Sequence, residues 1–150
     1  MKLQFSEIGG IFSNGGDNTQ KPEPHGLTTE QSAHIQQTLD EYILRERPFL
    51  RRRYSLRELS EETGIAMHQV SAFLNKEKGV NFNDFINRYR IDFCLQFLEN
   101  SAIKKVNLIE LGAMCGFNNR SSFATAFKRI TGDAPSAYIR KIDATGPSDH

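Results

Sequence analysis

The chain has 150 residues, a net charge of +1, 38% hydrophobic residues, no tryptophan and two cysteines. That length accommodates one ordinary core or a pair of small helical subdomains. No run approaches the ~18 apolar residues of a membrane span, and residues 3–12 are too short and broken for a span or a signal peptide, so no membrane contact is expected.

Cys94 and Cys115 sit inside periodic apolar segments without metal-type spacing. This argues against a disulfide framework and for a reducing, cytoplasmic setting. No paired carboxylates, nucleophile elbow, phosphate-binding glycine loop or metal cluster is found, so no enzyme, cofactor or metal site is expected. Counting Lys and Arg against Asp and Glu gives −3 over residues 1–50, +6 over residues 51–141 and −2 beyond. Positive charge gathered into one region suits a polyanion binder, although solvated helix faces give the same pattern.

Residues 1–26 carry Gly9, Gly10, Gly15, Gly16, Pro22 and Pro24 among small polar residues and read as a flexible leader. A helix over 27–47 follows, opened by the capping-box pattern Thr28-x-x-Gln31 and closed by Pro48. Its stripe of Ile35, Leu39, Tyr42 and Ile43 has two destinations, docking on the downstream domain or a dimer contact, and docking is the simpler. The oligomeric state stays open. Arg51, Arg52 and Arg53 come next, as candidate phosphate contacts just before the first helix-turn-helix unit, with a solvated loop as the alternative.

Over 54–142 every apolar pattern has a period near 3.6, which predicts an all-α domain. Within it, Ser55-Leu56-Arg57-Glu58-Leu59-Ser60-Glu61-Glu62-Thr63-Gly64-Ile65 is echoed 52 residues later by Asn107-Leu108-Ile109-Glu110-Leu111-Gly112-Ala113-Met114-Cys115-Gly116-Phe117. Each copy has an N-cap residue with Glu three places on, a small residue, a glycine four further, then a large apolar plug. These are the mechanical needs of a helix-turn-helix: a helix start, a close crossing, a left-handed turn and an anchor.

In the first copy, about 55–77, Val70, Phe73 and Leu74 point inward. In the second, about 107–130, Phe123 and Phe127 do so one position later, which predicts a turn longer by one residue. Gly79 and Gly132 end the two second helices. Between the copies, 83–99 reads as a linker helix whose Phe85, Ile86, Tyr89, Phe93, Phe97 and Leu98 form a core stripe, holding the two units as one semi-rigid body. A closing helix over 135–142 and a loose tail over 143–150 complete the chain.

The stretch from Gly116 to Arg140, with its Gly-Phe turn, Phe127-Lys128 pair and Gly132-x-x-Pro135-x-x-Tyr138 ending, resembles the second-unit signature of the AraC/XylS family of bacterial transcription regulators. Residues 83–91 are similar to that family's linker helix, and residues 75–85 to members of Bacteroidetes type. The resemblance covers 56–141 and implies a homeodomain-like fold of two helix-turn-helix subdomains joined by a linker helix. Its implied function is sequence-specific binding of duplex DNA, one recognition helix in each of two successive major grooves, roughly 34 Å apart.

The base-reading positions it implies are His68, Gln69, Ser71 and Ala72 on the first helix, and Arg120, Ser121, Ser122, Ala124 and Thr125 on the second. Lys128 is placed for a phosphate, and RNA polymerase becomes a candidate partner. Arg120 is the strongest base reader, because a guanidinium can bond guanine through two donors. Many family members carry Arg where this chain has Ala72 and Thr125, which softens the expected readout. A protein-interaction module with weak readout therefore stands as the alternative. The family's usual ligand-sensing domain has no counterpart in the first 50 residues, so the chain reads as a small stand-alone regulator or as the output end of a longer sensor.

Overall fold

The computed structural model describes residues 26–100 and 107–145, and the expected leader and tail lie largely outside them. Within the described residues the chain is all-α. Seven α-helices run in order: α1 (Thr29–Glu46), α2 (Leu56–Thr63), α3 (Met67–Ala72), α4 (Phe82–Asn100), α5 (Leu108–Met114), α6 (Arg120–Thr131) and α7 (Pro135–Thr145). They divide into two compact units. The first holds α1, α2, α3 and the start of α4 to Ile86, while the second holds Phe49–Arg53 and the chain from Asn87 onward. Among the described residues no helix is long and apolar enough to cross a membrane.

In the first unit, Thr28 caps α1 through a complete capping box. Its hydroxyl accepts the Gln31 amide at 3.0 Å, and the Gln31 side chain accepts the Thr28 amide at 2.8 Å. Such a box satisfies two of the four amides that a helix start leaves open. Ile35, Leu39 and Ile43, at i, i+4 and i+8, are all buried, so the α1 stripe docks within its own unit. Tyr42 and Tyr54 both donate to Glu62 Oε1, at 2.6 and 2.9 Å, tying α1 and the entry to α2 onto one carboxylate.

The α2 start repeats the capping-box device with Ser55 and Glu58, and Gly64 ends the helix at φ 79. The Ser60 hydroxyl donates to the Ile65 carbonyl at 2.6 Å, closing the turn, and Ile65 is buried beneath it. Val70, Phe73 and Leu74 are buried as the spacing predicts. The helix widens after Ala72 into a π-helical turn, Phe73–Lys78, whose last amides, from Gly79 and Val80, both reach back to the Leu74 carbonyl. Apolar spacing does not reveal this widening.

The core of the second unit comprises Ile91, Cys94, Leu98, Leu111, Cys115, Phe117, Phe123, Ala126 and Phe127, with Tyr138, Ile139 and Ile142 of α7 packed on it. Phe123, Phe127 and Tyr138 meet edge to face in succession, with centroids 5.7 and 5.3 Å apart. At Gly112 a Cβ would lie 2.9 Å from the Phe123 ring, so α5 and α6 cross at a distance only glycine permits. The two cysteines are free and buried, and the side-chain hydrogen bond with Cys115, together with burial, pushes the Cys94 thiol up. Both are core residues, as expected.

Candidate nucleic-acid interface

Each unit presents the second helix of a helix-turn-helix to solvent. In the second unit Asn107 Oδ1 caps α5, accepting the amides of Ile109 and Glu110. Gly116 then turns the chain at φ 100. Asn119, in extended conformation, caps α6 by accepting the Ser122 amide at 2.8 Å. From glycine to helix start this turn is one residue longer than that of the first unit, where Gly64 precedes Met67.

Phe123, Ala126 and Phe127 occupy the inner face of α6, which leaves Arg120, Ser121, Ser122, Thr125 and Lys128 exposed and Ala124 half-buried. At helical spacing Ser121, Thr125 and Lys128 fall above one another, with Arg120 and Ser122 flanking the first turn. The Arg120 guanidinium is therefore at the amino-terminal end of the helix, the end that a major-groove helix uses on base edges. Arg129 is exposed on the same helix, yet it lies near enough to α4 to help lower the pKa of Arg88, for which burial is the larger cause and Asp92 the opposing one.

On α3, His68 and Met67 are exposed, while Gln69, Ser71 and Ala72 are half-buried. Sequence reasoning passed over Asn75 and Lys76, both exposed on the π-helical turn. Asn75 Nδ2 donates to Ser71 Oγ at 3.4 Å, so the polar face continues past Ala72. The signal for them would have been the polar run Asn75-Lys76-Glu77-Lys78, but a regular helix projected from Met67 assigns those residues the wrong angles.

The arginine run is not an accessory of the first unit, despite preceding it in the chain. Phe49–Arg53 packs with the second unit, and all three arginines are exposed. Arg53, at φ 58, donates from Nε to Asn118 Oδ1 at 3.4 Å, in the turn that leads into α6. Arg51, Arg52 and Arg53 thus accompany Arg120 and Lys128 rather than His68 and Ala72. Among the described residues no group of three His, Cys, Asp or Glu side chains is placed to hold a metal.

A helix-turn-helix domain family model matches residues 59–141. The probable transcriptional regulator LumQ of Photobacterium leiognathi is 30% identical over 100 residues, which is 67% of this chain and 38% of LumQ. The chain therefore spans well under half the length of that relative. Among solved structures, the DNA-binding domain of the global transcriptional factor AdpA, crystallised with a target DNA, is similar with a TM-score of 0.60 at 17% identity, covering 75% of this chain and 96% of that one. A transcriptional regulator with an AraC-type DNA-binding domain from Chromobacterium violaceum is similar with a TM-score of 0.58 at 16% identity, covering 76% of this chain and 99% of that one.

Proposed function

Because the chain belongs to the AraC-type helix-turn-helix family of DNA-binding transcription regulators, we propose that it reads a specific duplex sequence with α3 and α6, each in a major groove. The observation that carries this reading is the pairing of two like scaffolds with a half-exposed face on α3 and an exposed polar face on α6, the second of them bordered by cations. The complex of the AdpA domain with its target DNA supports it by analogy of fold.

The two faces are unequal. Arg120 is the principal base reader, Ser121, Ser122, Ala124 and Thr125 complete the α6 surface, and Lys128 meets a phosphate. His68, Gln69, Ser71 and Ala72 make a softer surface that positions the domain more than it discriminates sequence.

The test is duplex binding as a function of salt. Counterion release makes the affinity fall steeply between low and physiological salt, and flat salt dependence would contradict the reading. Ala72 and Thr125, small side chains at reading positions, favour a second reading as a protein-interaction module. Arg120→Ala separates the two: it changes sequence preference if α6 reads bases and leaves DNA affinity nearly unchanged if it does not.

A further inference from the structure

Arg90 lies midway along α4 and is 9% exposed, and burial lowers its pKa. An arginine remains cationic even so, and a buried cation needs its donors satisfied. Here the acceptors are carbonyls. Nε donates to Phe49 O at 2.7 Å, Nη2 to Arg51 O at 3.0 Å and Nη1 to Asn87 Oδ1 at 3.2 Å, while the guanidinium sits 5.5 Å from the Phe117 ring centroid. The fork of one buried guanidinium thus fixes the backbone of the segment that carries three consecutive exposed arginines.

Gly116 makes the arrangement possible, because a Cβ there would collide with the Phe49 carbonyl and with Arg90 Nε. Arg53 adds a direct tie to the turn before α6 through Asn118. A scaffolding role for Arg90 accounts for the clamp. Three consecutive exposed cations on the clamped segment suit, in addition, an anionic partner at the same place.

We infer that Arg90 is a positioning residue for DNA-backbone phosphates: by holding Phe49–Arg53 on the second unit it presents Arg51, Arg52 and Arg53 to the phosphates bordering the groove that α6 enters. This rests on the DNA-binding reading above and deepens it. It makes the arginine run part of the second unit's footprint, although the run precedes the first unit in the chain.

The experiment uses the full chain and an end-labelled mixed-sequence duplex of about three helical turns, with the slope of log affinity against log salt as the readout. Each phosphate left without its arginine lowers the magnitude of the slope by about 0.9, so replacing Arg51, Arg52 and Arg53 together with Ala lowers it by up to about 2.7. Arg90→Met is expected to lower it by the same amount, and adding Arg90→Met to the triple variant to change it no further. An unchanged slope in the triple variant overturns the inference, as does an Arg90 effect that adds in full to the triple.

Should Arg90→Met lose the native circular dichroism, Arg90→Lys replaces it in the cycle, keeping the charge without the fork. The triple variant, confined to exposed side chains, decides in either case. A wild-type chain with no salt-dependent binding refutes the DNA-binding reading itself. A steep wild-type slope that the triple variant shares refutes only the inference.

Discussion

Gly116 and Gly132 both have φ near +100°, at 100° and 94°, but only Gly116 has neighbours where a Cβ would go. Replacing either with Ala places an L-residue in the left-handed region, at about 1–2 kcal/mol. The reduced freedom of the unfolded chain offsets part of this equally in both variants. At Gly132 nothing lies within 4 Å, so that is the whole cost. At Gly116 the new methyl must also displace the Phe49 carbonyl and the Arg90 guanidinium, breaking at least one hydrogen bond to a buried charged group at about 1.5–3 kcal/mol. Gly116→Ala is therefore less stable than Gly132→Ala by about 2 kcal/mol, a sizeable part of the stability of a small domain. In urea unfolding followed by circular dichroism, with a slope of about 1–3 kcal/mol per molar, the two midpoints should differ by about 1 M. Coincident midpoints would refute the close approach of Phe49–Arg53 to the α5–α6 turn.

Leu39→Ala removes a fully buried side chain from the α1 stripe and is expected to destabilise the first unit by about 2–5 kcal/mol, as measured by chemical denaturation. A cost under about 1 kcal/mol would mean that α1 is not docked there. Asn119→Ala should lower stability by about 1 kcal/mol through loss of the α6 cap, with Asn119→Asp close to wild type. Cys94 and Cys115 should resist a thiol reagent in the native chain and react together on unfolding, since both are buried and the Cys94 thiol is pushed up. Fast labelling of either cysteine would show that the second core opens locally.

The repeat was legible in the sequence because its determinants are local. Within each copy the cap (Ser55 or Asn107), the turn (Gly64 or Gly116) and the plug (Ile65 or Phe117) lie within a dozen residues of one another, and the extra residue in the second turn followed from the offsets of Phe123 and Phe127. Two features were not legible. The π-helical turn after Ala72 changes the angles of Asn75 and Lys76 without altering any apolar spacing. The Arg90 clamp joins residues 39 and 41 positions apart, through backbone carbonyls that carry no sequence signature. Order along the chain places the arginine run before the first unit, whereas its segment, Phe49–Arg53, packs with the second. The sequence also marks Ser60 and Gly112 alike as small, yet they serve differently. Ser60 bonds the turn carbonyl, while Gly112 admits the Phe123 ring.

The most direct measurement is selection of bound duplexes from a random pool, carried out in parallel with the wild-type chain and with Arg120→Ala. The account predicts two sequence boxes about one helical turn apart, the stronger assigned to α6 and losing its preferred guanine in the Arg120→Ala selection. Recovery of no box, or of the same boxes with both proteins, would contradict it.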